Sequence, residues 1–302
     1  MNYKEETREI WSLLYLYRKC YNICMTILDV RPSPIAGTWY EGDRNSLKRD
    51  IDEYLDKAVL SEIEGRVLGI IAPHAGHRYS GAVAAHAFAL VRGYSPELVA
   101  VISPFHAMAP DPLITTEHQA YSTPLGNIEV DQAALAELKT DLDIPITAVA
   151  KDKEHSLEIE LPFLQRALKG EFKLLPIMIR AQEMQIAKKL GAALAMVFKK
   201  RNALLVASTD LSHFYPEATA NVLDREMLRR FESLDPDSIF EAEQTGKGLA
   251  CGHAAVAAVL WACRALGATS VKTVKYATSG DVTGDHSSVV GYGAAVILQS
   301  YA

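Results

Sequence analysis

Cysteine is scarce: Cys20, Cys24, Cys251 and Cys263 are the only four in 302 residues, and no CxxC pair occurs among them. A disulfide-dense secreted scaffold is therefore excluded, and a reducing cytoplasm is the expected setting. Long apolar runs are missing as well. Nothing approaches the roughly 20 consecutive apolar residues of a membrane-spanning helix. Positive charge is in deficit, with 31 Lys and Arg against 37 Asp and Glu, a formal net charge of −6 and a pI near 5.9. The basic residues are scattered, which argues against a nucleic-acid partner, since a phosphate backbone needs a basic patch. No repeat, linker or low-complexity tract divides the chain. What remains is 49% hydrophobic and 23% charged, an ordinary globular composition at a length that suits one large α/β domain.

Residues 1–28 stand apart. Ile10 to Tyr17 is apolar, but Lys4, Glu5, Glu6, Arg8 and Glu9 before it are net acidic, where a signal peptide requires a basic segment. This stretch is expected to be an amphipathic extension, or sequence upstream of a natural start at Met25. The domain proper is expected to span 29–302.

Its organising stretch is Val67 to Leu90. Val67 to Ala72 is almost wholly apolar and closed by Pro73, the pattern of a parallel strand covered on both faces. His74 follows directly. Leu98 to Ser103 is a second such strand, ending in Pro104-Phe105-His106. Leu204 to Ser208 is a third, ending in Thr209-Asp210-Leu211-Ser212-His213. Further strands are expected at Ile146–Ala150, Phe172–Arg180, Val271–Thr278 and Ser288–Leu298. Helical stripes cover Asn45–Leu60, Leu157–Leu168, Glu183–Lys199, Val222–Phe231, Pro236–Glu243 and His253–Leu266. Asp131 is placed to cap a helix running to Leu138, and Asp111 to Val130 reads as short extended pieces turning at Ser122 to Asn127. This alternation predicts an α/β fold, a single domain with a mostly parallel central sheet flanked by helices.

Ligands of such sheets bind at the carboxyl ends of the strands. Three converging strand ends make His74, His106 and Cys251 the candidate metal ligands, two imidazoles and a thiolate with positions left open, as in a catalytic site. Each alone has a plainer reading, a hydrogen-bonded loop histidine or a small buried thiol. Cys251 stands just before a helix, where the N-terminus favours thiolate. Asp210 and His213 are three apart and share one side of the chain if that segment coils. They then serve as an oriented general base, or Asp210 is only a helix cap. His155 and Glu158 share the spacing and both readings. Asp281, Asp285 and His286 lie in a polar loop that reads as a turn or as the border of the pocket. His77, His86, His118 and His253 are expected to be structural or to support the ligands from behind.

The ordered series PIAGTWY, IAPHAG, SPFH, AYSTPLG, EHSLEIELPFLQ, STDLSH, ACGH and GDHSSVVGYGAA resembles the Memo family from about Pro32 to the C-terminus. The resemblance implies a fold similar to that of the class III extradiol ring-cleaving dioxygenases. It implies His74, His106 and Cys251 as metal-site residues, with Asp210 and His213 lining the same pocket. Extradiol enzymes hold iron with two histidines and a carboxylate, whereas a thiolate here broadens the preference from iron toward copper or zinc. The function expected is a metal-dependent oxidoreductase of unknown substrate, with His213, Asp210 and His155 as the proton-handling set. The alternatives are a peptide- or partner-binding module that uses a vestigial metal pocket, and a zinc-dependent hydrolase. Microbial relatives imply a radical-SAM enzyme and a small protein as partners; animal relatives imply adaptors for phosphorylated peptides.

Overall fold

In the computed structural model the described residues are 29–60 and 62–301, so the extension expected over residues 1–28 lies outside them. The chain opens with strand β1 (Val30–Arg31), helix α1 (Arg44–Lys57), β2 (Arg66–Ala72), α2 (His77–Ala89) and β3 (Leu98–Pro104). There follow β4 (Leu113–Thr116), β5 (Ala120–Thr123), β6 (Gly126–Glu129), α3 (Gln132–Asp141) and β7 (Ile146–Val149). A 3-10 turn (Glu158–Glu160) leads into α4 (Leu161–Ala167), β8 (Lys173–Ile179), α5 (Met184–Phe198) and β9 (Ala203–Ser208). The last part holds β10 (His213–Tyr215), α6 (Glu217–Glu232), α7 (Pro236–Gln244), α8 (His253–Ala265), β11 (Ser270–Thr278), α9 (Gly280–Thr283) and β12 (Val289–Gln299).

Four neighbouring strands, β2, β9, β3 and β8, are parallel and form the centre of the main sheet. Their alternate residues pack into two separate cores. Val99 and Val101 join Ile70 and Val206 beneath α1, α2 and α4, while Ala100 and Ile102 join Ile71 and Leu205 beneath α5 and α8. Burial on both faces is why these strands read as continuous apolar runs. The flanks depart from the parallel expectation. β12 runs antiparallel to β2 and carries β10 and β11 antiparallel to itself, and β4 runs antiparallel to β8 with β7 parallel beyond it. The sheet as a whole is therefore mixed. A second sheet of three short strands, β1, β5 and β6, accounts for the extended pieces, with Pro124-Leu125 as the hairpin loop.

Local capping follows the sequence closely. Asp43 accepts from the amides of Asn45 and Ser46 at the start of α1, and Asp131 accepts from Ala134 at the start of α3, each satisfying donors that a helix end leaves free. The helix expected from Leu157 starts instead as a 3-10 turn, because Pro162 at the head of α4 has no amide hydrogen to offer.

One buried cation ties this segment to the chain's opening strand. Arg31 is fully buried, with Nε and Nη2 each 2.8 Å from the Asp152 carboxylate and Nη2 2.9 Å from the Glu154 carbonyl; Nη1 donates to Glu158. Its guanidinium lies 4.9 Å from the Tyr121 ring centroid. Glu158 also accepts from Ser33 and, at 2.7 Å, from Tyr40. Removing one partner of a buried ion pair strands the others without compensation. Arg31→Ala is therefore expected to lower the unfolding free energy by roughly 3–5 kcal/mol, measured by urea titration. A loss under about 1 kcal/mol would show that residues 152–158 are held by other contacts.

Candidate metal centre

His74 stands two residues beyond β2 and His106 two beyond β3, while Ser208, Thr209 and Asp210 end and follow β9. Cys251 precedes α8, and the backbone there comes so close to β9 that a Cβ on Gly252 would sit 2.4 Å from the Ser208 carbonyl oxygen. A fifth segment, residues 154–156, reaches the same point. His74, His106 and His155 each offer a ring nitrogen, all within 4.8 Å of one another, a set that can hold a metal ion. The rings of His106 and His155 stack at 4.9 Å and 11°, and His74 stands edge-on to both at 5.6 and 5.5 Å.

Two of the three rings are held from behind by a hydrogen bond through Nδ1. His74 Nδ1 is 2.9 Å from Ser208 Oγ, His106 Nδ1 is 2.8 Å from Glu154 Oε1, and His155 Nδ1 is 3.4 Å from the same oxygen. Fixing one nitrogen presents the other, and a ligating histidine needs that arrangement. Trp39 covers the far side of His155 with ring centroids 4.1 Å apart. Cys251 Sγ lies 3.1 Å from His74 Nε2 and 3.3 Å from the Asp210 amide nitrogen.

Glu154 is the electrostatic centre. Burial opposes its ionisation, but the His106 side chain and the amides of His106 and Ser156 outweigh this and hold it well below the usual carboxylate range. His106 is raised in return, chiefly by its bond to Glu154. Burial lowers His74 well below its ordinary value, helped by repulsion from His155 and His106, and burial brings His155 down to about 4. Neutral imidazoles have lone pairs to give. Burial pushes Asp210 up to about 7 against the pull of the His74 and Ala75 amides. Burial and the Asp210 charge also raise the Cys251 thiol. A bound cation reverses that cost, because a coordinating thiol deprotonates outright. The donor set fits a metal: three imidazoles around one point, two of them anchored through Nδ1, and a thiol beside them.

The other candidates fall into place around this cluster. Asp210 does not orient His213. The helical turn that would have paired them is absent, since His213 begins β10 and pairs with Val290 of β12. The Asp210 carboxylate instead accepts from the amides of His74 (2.7 Å) and Ala75 (3.3 Å), fixing the loop after β2. His213 is half-buried, and burial lowers its pKa. His155 does not meet Glu158, which is engaged with Arg31; its adjacent residue Glu154 takes that place. Asp281 accepts from the Thr278 amide, Asp285 from Ser287, and His286 meets Glu217 at 2.8 Å in an exposed turn. His77, His86, His118 and His253 bond to backbone carbonyls or, for His118, to Asp29, as structural histidines do. Glu154, Glu160, Ser208 and Trp39 were not singled out from the sequence, although the first two lie in the motif EHSLEIE and its preceding context.

The chain matches the family described as Memo-like protein over residues 31–296. A MEMO1 family protein of Nitrosopumilus maritimus is 35% identical over 271 residues, covering 88% of this chain and 98% of its own. One of Methanopyrus kandleri is 35% identical over 279 residues, with the same coverage of 88% and 98%. One of Methanothermobacter thermautotrophicus is 36% identical over 273 residues, covering 87% and 98%. Among solved structures, an uncharacterised Escherichia coli K12 protein aligns with 76% of this chain and 99% of its own at 15% identity and a TM-score of 0.42, too loosely to bear on the site. The histidine-bearing loops all fall inside the matched span, and the chain belongs to the Memo-like protein family.

Proposed function

We propose that the protein is a metal-dependent oxidoreductase of dioxygenase-like fold, holding iron, or alternatively copper, at His74, His106 and Cys251. The observation that carries this reading is the convergence of three histidines on one point, two of them anchored through Nδ1, with a thiol 3.1 Å from one of them. Rings that served only to fill the core would not bring three imidazole nitrogens within 4.8 Å of one another. Two imidazoles and a thiolate leave coordination positions open, as catalytic sites do. When bound, such a metal supplies redox chemistry toward dioxygen or a bound substrate.

The chain's own residues do the rest. Ser208 and Glu154 keep the two ligand rings from rotating, and Trp39 shields the outer face of His155 from water. His155 and His213 are both held below their ordinary pKa by burial, so each is neutral near pH 7 and can accept a proton from a substrate hydroxyl. Asp210, with its pKa moved up to about 7, can hold a proton two residues beyond the strand end while orienting the His74 amide.

Protein purified anaerobically and without chelators is expected to carry close to one iron or copper per chain by mass spectrometry, and His74→Ala to carry almost none. Zinc alone, with no response to reductant, would move the reading to a hydrolase, in which a metal-bound water is the nucleophile. No metal even after anaerobic reconstitution would sink the metal reading and favour a partner-binding module.

The role of Cys251 separates from that of His155 by substitution. Cys251→Ser is expected to weaken metal affinity by at least the 10–100-fold that loss of a supporting contact costs, with the circular dichroism spectrum unchanged. His155→Ala should cost less. The reverse order would make His155 the third ligand.

A further inference from the structure

A second buried carboxyl group lies behind His74, belonging to Glu160 in the 3-10 turn. It is 1% exposed and makes no hydrogen bond to the metal-site rings. Its Oε1 is 2.8 Å from Ser208 Oγ, and its Oε2 has no hydrogen-bond partner among the described residues. Ser208 Oγ thus has three polar neighbours: His74 Nδ1 at 2.9 Å, the Ser156 carbonyl at 2.7 Å and Glu160 Oε1 at 2.8 Å.

A serine hydroxyl has one proton to give and two lone pairs to receive with. The Ser156 carbonyl can only accept, so it takes that proton. The two remaining neighbours must then donate to Ser208. His74 does so from Nδ1–H, and Glu160 can do so only as the acid. An ionised Glu160 would compete with the carbonyl for one proton, leaving two oxygens opposed at hydrogen-bond distance. It would also leave Oε2 a buried anionic oxygen without any donor, an arrangement that folded proteins avoid.

We propose that Glu160 is a neutral carboxylic acid and the positioning residue that, through Ser208, fixes His74 as the Nδ1–H tautomer with Nε2 turned toward Cys251. Its importance for metal binding rests on the reading of His74 as a ligand; its protonation state does not. Burial pushes this carboxyl well above its usual range, with the Ser208 bond opposing and the nearby Asp210 adding to the shift. The two metal-site histidines are then backed differently. His106 leans on an anion, Glu154, which raises its basicity, while His74 leans on a neutral chain that fixes its orientation without adding charge.

Infrared difference spectroscopy between the wild type and Glu160→Gln, without metal, tests the protonation directly. The carbonyl stretch of a protonated carboxylic acid is expected in the wild type and lost in the variant; loss of carboxylate bands instead would overturn the proposal. Should Glu160→Gln fail to fold, Ser208→Ala carries the test. Removing the hydroxyl that accepts the acid's proton is expected to move the same band to higher frequency, and an unmoved band would count against the proposal. Binding of iron(II) under anaerobic conditions reads the positioning role. Glu160→Gln, which keeps a neutral donor to Ser208, is expected to change affinity by less than about threefold, and Ser208→Ala to weaken it by about 10–100-fold. A tenfold or larger loss in Glu160→Gln would show that a charge at Glu160 supports the cation, and would overturn the proposal. If the wild type binds no iron, the metal reading fails while the infrared band still decides the state of Glu160.

Discussion

The buried, ionised carboxylate of Glu154 is the contact on which the site depends. It accepts from the His106 ring and amide at 2.8 and 2.6 Å and from the amides of His155 and Ser156 at 3.0 Å each. A charge in that position is tolerated only because every lone pair it points inward meets a donor. These bonds close the loop after β3 onto the 154–156 segment and bring two histidine rings into a parallel stack. Glu154 is in turn held by its own backbone, whose carbonyl accepts from Arg31 and whose amide donates to Asp152 at 3.0 Å. The opening strand therefore supports the geometry of the histidine cluster through one arginine, although it contributes no side chain to the cluster.

The sheet supplies the remaining positions at little cost in specialised residues. Parallel strands covered on both faces must end in loops at one edge, and the three loops after β2, β3 and β9 meet there because those strands are neighbours. Gly252 allows α8 to approach β9 closely enough for Cys251 to stand beside His74, and any larger residue would press on the Ser208 carbonyl. The thiol's high pKa without metal follows from the same closeness, since it sits against buried backbone and the Asp210 carboxyl instead of water.

What the sequence disclosed was whatever a local pattern can carry. The apolar runs ending in His74, His106 and Asp210 were visible because burial on both faces leaves a continuous signature, and Asp131 was visible as a cap because capping needs only the next three residues. Partnerships between distant segments were not visible. Glu154, Glu158 and Glu160 lie within seven residues in one acidic motif, yet one is ionised on His106, one is paired with Arg31 and one sits behind Ser208. Only the spacing of Glu154 and Glu158 is helical, and only contacts with other segments assign the three. Asp210 and His213 misled for a related reason. A spacing of three implies a shared face only in a coil, and β12 claimed His213 for a strand before the segment could turn.

That capture by β12 is itself enforced from outside the site. The Leu211 amide donates to the Gly291 carbonyl and the Gly291 amide to the Ser212 carbonyl, both at 2.9 Å, so the segment after β9 is locked to β12 by a short antiparallel pairing. Behind it lies Asp224 of α6, fully buried, accepting from the Ser212 amide at 2.9 Å and from the Tyr276 hydroxyl at 2.8 Å. A Cβ on Gly291 would fall 1.8 Å from the Asp224 carboxylate, so only glycine lets strand, loop and carboxyl group occupy that space together. Burial raises the pKa of Asp224, a cost that its two donors offset in part. The loop that holds Asp210 against His74 is thus clamped on one side by the metal-site backbone and on the other by a helix residue with no chemistry of its own. Its conformation is set by the sheet, which is why the four irregular residues between β9 and β10 hold the Asp210 carboxyl and the His213 imidazole in separate, fixed places.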